Sequence, residues 1–297
     1  MKTTTHGAFH FFATAVGACA VLLLAASSSG QKLFVSDAFS VYEFTPEGAR
    51  STFATGFGSS SLYGLAFDSA NNLYLATPNG SGYVYKFTPA GVRSIYASGL
   101  SFPVGLAFDR NGTLFETDNT RGYVNKLTSG SRLLFVHGLD YPAGMAFDSA
   151  DNLFVTSGGV GYSSIVEITP TGAQSTFASG LQGVVGLTFD NAGNLYAADK
   201  VANEIIEFST NGTESIFASG LDGPYGLAFD SAGNLFETDH YSGNIYEFSP
   251  TGEQSTFASG LNLPTFLAFE PVPEPSIFGL MTIVGSALLL ARRRAMP

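Results

Sequence analysis

Apolar and polar residues alternate along most of the chain in short runs, which are separated by turns rich in glycine, asparagine, aspartate and proline. This period of two is typical of β-strands. Between residues 225 and 258 the pattern predicts four strands, which we name a (225–229), b (234–238), c (244–248) and d (255–258). The a–b link, 230–233, and the c–d link, 249–252, combine turn-capping side chains with a final glycine, so both are predicted to be tight turns.

The phrase Gly-Leu-Ala-Phe-Asp in strand a begins at Gly64 and recurs with small changes, ending in a degenerate copy from Phe266 to Glu270. The copies begin at residues 64, 105, 144, 186, 226 and 266, in steps of 41, 39, 42, 40 and 40 residues. A period of this length with strand content indicates stacked β units such as propeller blades. The small residues of strand a suit a strand crowded near a central axis, and its large residues can pack between blades.

The number of each strand type predicts how the ring closes. Six b strands are predicted, beginning at Leu33, Leu73, Leu114, Leu153, Leu195 and Leu235. Five a strands precede a b strand, whereas the last copy, 266–270, has none after it. We therefore predict an all-β, six-bladed β-propeller with four antiparallel strands per blade, in which the C-terminal strand completes the N-terminal blade. Such closure removes the open sheet edges of a linear array.

The recurring motifs Pro-x-Gly-Leu-Ala-Phe-Asp, Gly-Asn-Leu-Phe-x-Thr-Asp and Asn-x-Ile-x-x-Phe resemble those of NHL-repeat propellers. That group is similar to virginiamycin B lyase and to the gluconolactonase/senescence-marker proteins. The resemblance implies a six-bladed propeller and leaves the activity open, because this fold hosts binding modules, lyases and lactonases alike. The chain has no tryptophan, so the Trp-Asp signature of WD repeats is absent.

The N-terminus has the pattern of an export signal. Residues 1–30 combine the basic Lys2, an apolar run and small residues before Gly30, so the propeller domain is expected to span 31–271. Cys19 precedes the leucine-rich run, so we interpret it as an ordinary signal residue rather than a lipoprotein site. No cysteine follows it, so the domain after the signal has no disulfides.

The C-terminal segment, 272–297, resembles the PEP-CTERM sorting signal of Gram-negative bacteria. An apolar stretch, 277–291, is predicted to form a transmembrane helix. It follows a Pro-Glu-Pro motif, which consists of Pro273, Glu274 and Pro275, and it precedes a basic cluster of Arg292, Arg293 and Arg294. The resemblance implies an inner-membrane precursor, processed by signal peptidase and an exosortase-like protease and delivered to the cell surface or extracellular matrix. A simple tail anchor is the alternative.

Charge narrows the classes of partner. Residues 31–271 carry 23 acidic and 9 basic side chains, a net charge of −14. This balance disfavours nucleic acid and anionic membranes as partners. It would suit cations or a calcium-rich matrix, although we favour the interpretation that acidity keeps an exported protein soluble. The sequence contains no Ser-His-Asp order, phosphate-binding loop or zinc motif.

The b–c and d–a loops are predicted to lie at one end of the ring, around the mouth of the central channel. Loops on a rigid scaffold are the usual place for a binding site. The candidate ligand-binding residues on these loops are Tyr63, Tyr225, Tyr241, Asn119 and Lys200.

Four aspartates end b strands and are candidate metal ligands: Asp37, Asp118, Asp199 and Asp239. Together with Asn79 and Asn119 they could bind Ca²⁺ or Mg²⁺ through oxygen atoms. We favour the alternative that each aspartate caps its own loop, because a residue that recurs in most blades usually has an architectural role.

Three further residues are candidates for catalysis. Glu116 and Glu237 occupy the third position of strand b, where the other blades place an apolar residue. A carboxyl group there could be a general acid or base or a metal ligand, but it could also lie at a water-exposed rim or reflect duplication of the phrase Leu-Phe-Glu-Thr-Asp. His240 lies beside Asp239, and the lyase resemblance implies a histidine with a divalent metal.

Two functions follow as hypotheses. The favoured one is an exported surface or matrix propeller that binds carbohydrate, peptide or another matrix component through its aromatic loops. The alternative is a metal-dependent lyase or lactonase that uses His240, Glu116, Glu237 and Asp239.

Overall fold

A computed structural model describes residues 30–58, 61–78 and 80–272 of the chain. Among these residues every regular element is a β-strand, and none forms a helix long and apolar enough to cross a membrane. The predicted export signal with Cys19, residue Asn79 and the sorting segment from Pro273 onward lie outside the described residues. The domain boundaries and both targeting signals therefore stay predictions.

The described strands form six antiparallel four-stranded sheets, which are blades 1 to 6. Blade 1 contains β1 (Leu33–Ser36), β2 (Val41–Phe44) and β3 (Arg50–Ala54), and blade 2 contains β4 (Leu65–Phe67), β5 (Leu73–Thr77), β6 (Tyr83–Phe87) and β7 (Arg93–Ser98). Blade 3 contains β8 (Pro103–Phe108), β9 (Leu114–Asp118), β10 (Tyr123–Thr128) and β11 (Ser131–His137), and blade 4 contains β12 (Met145–Phe147), β13 (Leu153–Gly159), β14 (Tyr162–Ile168) and β15 (Gln174–Leu181). Blade 5 contains β16 (Val184–Phe189), β17 (Leu195–Asp199), β18 (Glu204–Phe208) and β19 (Glu214–Ser219), and blade 6 contains β20 (Pro224–Phe229), β21 (Leu235–Asp239), β22 (Asn244–Phe248) and β23 (Gln254–Ala258). The last strand, β24 (Leu267–Phe269), belongs to blade 1.

The ring closes as the strand count predicts. Strand β24 pairs antiparallel with β1, with Leu33 opposite Phe269 and Val35 opposite Leu267. The backbone N–H of Glu270 donates to the carbonyl oxygen of Lys32 over 2.9 Å, so the pairing continues beyond the strand ends. The sequence prediction of a six-bladed all-β propeller, completed by its C-terminal strand, is confirmed.

The glycines of strand a allow the inner strands to approach one another. A Cβ atom at Gly105 would lie 2.2 Å from the carbonyl oxygen of Ala143 in the next blade, and one at Gly226 would lie 2.5 Å from that of Thr265. Hydroxyl groups on strand b link the same neighbours, since Thr117 Oγ1 accepts from Gly105 N–H and donates to Ala143 O, each over 2.7 Å. The recurring glycine therefore marks the crowded centre of the ring.

Aromatic side chains pack between the blades in a repeated arrangement. In blade 1 the ring of Phe34 contacts Phe53 of its own strand d and Phe67 of the next blade, with centroids 5.1 Å apart in both pairs. The other five blades repeat this triad around Tyr74, Phe115, Phe154, Tyr196 and Phe236. Edge-to-face pairs of this kind contribute about 0.5–1.5 kcal/mol each beyond the burial of their apolar area. They hold each blade against the next.

The a–b turns show why the recurring phrase ends in aspartate. In blade 6, Asp230 Oδ1 accepts hydrogen bonds from the backbone N–H groups of Ala232 and Asn234, both over 2.8 Å, and Gly233 has a φ of 85°. Asp68, Asp109, Asp148 and Asp190 make the same pair of bonds. This aspartate is therefore a turn cap.

Blade 4 differs from the sequence prediction at its b–c connection. By comparison with the other blades the b–c loop would begin at Ser157 and Gly158, but β13 and β14 continue as a hairpin in which Gly159 pairs with Tyr162. Glycine at 161 has a φ of 81°, so two residues suffice to reverse the chain. The longer hairpin carries Val160 out to the rim of the channel mouth.

Candidate binding site at the channel mouth

One cavity of about 320 Å³ is lined by residues of five successive blades. Blades 2 and 6 contribute Tyr63 and Tyr225, while blades 3, 4 and 5 contribute Asn119, Tyr141 and Lys200. A cavity that touches five blades of a six-membered ring must lie at the ring axis. The b–c and d–a loops thus meet around the channel mouth, and four of the five candidate ligand-binding residues line a single cavity there.

Lys200 is the charged residue of this cavity. Its ammonium nitrogen lies 5.0 Å from the ring centroid of Tyr225 and 4.8 Å from that of Tyr241, the fifth candidate residue. The backbone N–H of Lys200 donates to the carbonyl oxygen of Gly183 over 3.1 Å, which ties its b–c loop to the d–a loop of the same blade. Tyr241, although absent from the cavity wall, thus joins the group through Lys200.

The other two candidate ligand-binding residues are held by neighbouring loops. The Tyr63 ring packs against Phe102, with centroids 5.7 Å apart. The side-chain amide of Asn119 donates to the carbonyl oxygen of Pro142 over 3.1 Å, and its backbone N–H donates to Phe102 O over 2.9 Å. These contacts attach both side chains to the neighbouring loops.

His240 packs beside the cavity against two tyrosines. Its ring stacks on Tyr225 with centroids 5.2 Å apart and an interplanar angle of 29°, and it meets the edge of Tyr241. Because the carbonyl oxygen of Pro264 can only accept a hydrogen bond, Nδ1 carries the proton in the 2.9 Å contact between them. Burial, and to a lesser degree the Lys200 charge, lower the pKa of His240, so the ring is neutral at pH 7.

The four candidate metal-ligand aspartates are buried and hold loops. Asp239 Oδ2 accepts from the backbone N–H of Asp222 in the d–a loop over 2.7 Å, while Oδ1 accepts from Ser242 N–H in the b–c loop over 3.3 Å. Asp37, Asp118 and Asp199 likewise accept from both loops of their blades. The geometry is that of the capping role. In the described part of the chain no three His, Cys, Asp or Glu side chains are grouped so that they could hold a metal ion.

The two candidate glutamates lie in cores between blades. Glu116 is on the same face of β9 as Leu114, which belongs to the apolar core between blades 2 and 3. Glu237 is on the same face of β21 as Leu235, in the core between blades 5 and 6. Both side chains are 0% exposed, so the interpretation as a water-exposed rim is wrong.

Neither glutamate is fully hydrogen-bonded. Asn125 Nδ2 donates to Glu116 Oε2 over 2.8 Å, but Glu116 Oε1 and both oxygens of Glu237 have no hydrogen-bond partner among the described residues. Burial raises the pKa of Glu116 to about 8. Burial, reinforced by the Asp239 charge, raises the pKa of Glu237 well above its usual value, and the nearby backbone N–H of Tyr225 opposes this shift. Burial therefore favours the neutral form of both carboxyl groups, and a catalytic role for them stays a prediction.

The mouth residues that sequence reasoning missed include Phe102, Tyr141 and Val160. Tyr141 was the easiest to find, since it immediately precedes a proline in a d–a loop, where blade 6 has Gly223. A bulky residue at a position that glycine fills elsewhere signals a role for the side chain. Val160 gave no comparable signal, because its exposure depends on the extended blade 4 hairpin.

Solved structures with the same architecture are numerous, and three illustrate the range. A chain from a nidogen/laminin complex has a TM-score of 0.74 at 18% identity, over 82% of this chain and 100% of the other. Virginiamycin B lyase from Staphylococcus aureus has a TM-score of 0.60 at 17% identity, and the match covers 82% of this chain and 93% of the lyase. A streptogramin B lyase has a TM-score of 0.62 at 18% identity, and the match covers 82% of this chain and 90% of the lyase.

At these identities the similarity establishes the fold. No protein-family model matches the chain, and no curated protein matches it. The chain is a six-bladed β-propeller. Its function has to be argued from the site itself.

Proposed function

We propose that this propeller is a binding module whose channel mouth recognises a partner protein. The observation that carries the proposal is where the exposed apolar side chains lie. Seven large ones lie around the mouth, six on b–c or d–a loops and Tyr162 at the start of β14: Phe39, Tyr141, Val160, Tyr162, Val201, Tyr241 and Leu263. Exposed aromatic and apolar groups around a central cavity are typical of the energetic centre of a protein interface.

The chemistry of the cavity wall favours a protein over a carbohydrate. Besides the tyrosine hydroxyls, its side chains offer two polar groups, on Asn119 and Lys200. Valines make up much of the rest, including Val104, Val184 and Val185. A sugar presents hydroxyl groups all round and needs many hydrogen-bond partners to replace water, whereas an apolar amino-acid side chain does not.

The backbone at Tyr141 supports a binding role for its side chain. Tyr141 has a φ of 42° in the left-handed region, while Gly223, at the matching position of blade 6, has a φ of 77°. A non-glycine residue in this region costs about 1 kcal/mol. The ring is nevertheless 55% exposed at the cavity. A strained residue with an exposed aromatic ring is expected where function, rather than folding, has selected the side chain.

Fold comparison is compatible with this proposal. The structure with a TM-score of 0.74 comes from a complex of two proteins, nidogen and laminin. Propellers of this architecture therefore occur in protein complexes. The argument for this chain rests on its own mouth residues.

A selection with random peptides displayed on phage tests the proposal. We expect peptides to be enriched on the wild-type protein and to lose binding to Val160→Asp, which places a charge at the mouth on a side chain that is 76% exposed. The matched control is Val92→Asp, a 62% exposed valine in a c–d turn at the other end of the ring. Enriched peptides that bind Val160→Asp normally, or no enrichment at all, would contradict a protein-binding mouth.

We further propose that the protein acts outside the inner membrane, at the cell surface or in the extracellular matrix. The two terminal patterns and the cysteine-free acidic domain support this location. The intact mass of the surface-exposed protein tests it. Processing by an exosortase-like protease predicts a C-terminus near Pro273, Glu274 and Pro275, whereas a tail anchor predicts a form that keeps Arg292, Arg293 and Arg294.

A further inference from the structure

Four of the nine lysine and arginine side chains in the described residues pair with a carboxylate, and Lys200 is not among them. Lys32 pairs with Glu43 at 2.8 Å, Lys86 with Asp68 at 3.6 Å and Arg121 with Asp118 at 3.0 Å. In the described residues Lys200 has no carboxylate oxygen within 4.0 Å, and its ammonium donates no hydrogen bond to a protein acceptor. A chain with a strong excess of acidic residues thus leaves a lysine unpaired at its channel mouth.

The surroundings of Lys200 hold the ammonium in place without neutralising it. The faces of Tyr225 and Tyr241 attract the charge, a contribution of about 0.5–2 kcal/mol per ring. Ring faces offer no oxygen acceptor, so the three N–H donors of the ammonium stay available. Among the residues that the structure describes, no acidic side chain lines the cavity. The site therefore presents a fixed cation within an apolar wall.

From this geometry we infer that the partner inserts an aspartate or glutamate side chain whose carboxylate binds Lys200. The inference rests on the proposed protein-binding function and specifies the group that is recognised. The apolar wall around Lys200, which includes Val160 and Val185, would contact an apolar residue next to the acid. A carboxylate in this position accepts charge-assisted hydrogen bonds from the ammonium, which are about twice as strong as neutral ones.

The acidity of the whole protein does not oppose this contact. At physiological salt the Debye length is about 8 Å, so carboxylates at the far end of the ring are largely screened. The aspartates nearest the mouth, such as Asp199 and Asp239, already accept several backbone hydrogen bonds. A direct ion pair at Lys200, with its two charges in contact and partly removed from water, is stronger than the repulsion from carboxylates farther away.

The peptides enriched by the wild-type protein test this inference. We expect one position in them to be aspartate or glutamate, next to an apolar or aromatic residue. Replacing that acid by the corresponding amide is expected to weaken binding about tenfold or more, and Lys200→Met is expected to weaken the acidic peptide to the same level. The amide peptide should bind wild type and Lys200→Met equally, because the two changes remove one interaction.

Lys126→Met is the matched control. Its ammonium also lies over two aromatic rings, at 5.2 Å from Phe115 and 4.3 Å from Phe135, but on a groove between blades 3 and 4. We expect this variant to bind the acidic peptide like the wild type.

Three results would overturn the inference. Enriched peptides without an acidic position would refute it and leave a protein-binding mouth intact, provided that Val160→Asp abolishes their binding. An acidic preference that Lys200→Met retains would place the anion elsewhere on the surface. Absence of any enriched peptide would contradict both the inference and the proposed function.

Discussion

Carboxyl groups in this protein differ in role because their surroundings differ. Asp230 caps an a–b turn at the surface, Asp239 is buried but accepts backbone hydrogen bonds, and Glu237 is buried with neither oxygen hydrogen-bonded. The first two accept hydrogen bonds from backbone N–H donors. Neither oxygen of Glu237 has a hydrogen-bond partner among the described residues, and burial raises its pKa well above the usual value, which favours the neutral acid in the folded protein.

The buried glutamates predict that the protein loses stability as the pH rises. A glutamate whose pKa moves from about 4.5 to about 8 on folding, as for Glu116, holds more protons in the folded than in the unfolded state between these values. Stability therefore falls with rising pH across this window, by roughly 1.4 kcal/mol per pH unit for one group. Glu116→Gln removes this titrating carboxyl group, so the free energy of unfolding of the variant is expected to depend less steeply on pH.

Chemical denaturation of the wild type and of Glu116→Gln between pH 4.5 and 8 measures this pH dependence of stability. Above pH 7 Glu116→Gln is expected to be more stable than the wild type, and Glu237→Gln should behave in the same direction. Glu253→Gln, which changes an exposed glutamate in a c–d turn, is the control and should leave the pH profile unchanged. Parallel profiles for wild type and Glu116→Gln would mean that the glutamate is ionised in the folded protein.

Asp239 is expected to stabilise the ring as a cap rather than as a metal ligand. Asp239→Ala removes the acceptor of two backbone N–H groups, which costs about 1–3 kcal/mol of unfolding free energy. Thermal denaturation should show the same loss in Ca²⁺, in Mg²⁺ and in chelator. Asp222→Ala, which keeps its backbone donor and changes an exposed side chain, should have little effect. Stabilisation of the wild type by Ca²⁺ or Mg²⁺ that Asp239→Ala abolishes would instead show a metal site.

Tyr141 is expected to matter for binding and little for stability. Tyr141→Gly relieves a strained backbone, with φ at 42°, but adds freedom to the unfolded chain, and these effects offset to within about 1 kcal/mol. The enriched peptides should nevertheless bind this variant at least several-fold more weakly. Asn71→Gly, at a φ of 59° in an a–b turn, is the control and is expected to change neither peptide binding nor stability. Normal peptide binding by Tyr141→Gly would exclude its ring from the interface.

At the level of the strands, the sequence was most informative where the repeat imposes the same environment six times. The six b strands begin at the predicted leucines because each buries one side against the next blade. It was least informative where one blade departs from the rest, as in the hairpin of β13 and β14. The burial of Glu116 was also hidden, since polarity alone does not reveal which blade covers a side chain. The capping of Asp239 was predictable because the aspartate recurs.

Strand β24 is predicted to hold the whole ring closed. It pairs with β1, and Phe269 packs on Phe236 of blade 6 with centroids 4.9 Å apart. Deleting residues 261–271 would leave β1 as an open edge of blade 1 and would uncover the face of blade 6 that packs against Phe269. We expect the truncated chain to melt at a markedly lower temperature and to aggregate.

A circular permutant is the control for that deletion. Joining residue 271 to residue 31 by a short linker, with new ends in the a–b turn of blade 5 at Asn191, keeps every strand. Because Glu270 and Lys32 are already hydrogen-bonded, we expect the permutant to fold and melt like the parent. Unchanged melting of the truncated chain would show that β24 does not close the ring.

The whole molecule has two unlike ends. The a–b turns place an aspartate in each of five blades at one end, whereas seven exposed apolar or aromatic side chains surround the mouth at the other. The repeated residues build the ring, and the residues that differ between blades form its mouth. The central claim is that the mouth is the surface through which the protein binds.

Hydrogen exchange measured by mass spectrometry, with and without a saturating enriched peptide, tests this claim most directly. Binding at the mouth predicts slower exchange of backbone amides in the loops 140–143, 158–162, 182–185 and 200–203. The a–b turns and the outer d strands should exchange at unchanged rates. Protection confined to the a–b turns or the outer strands, with the mouth loops unaffected, would contradict the account.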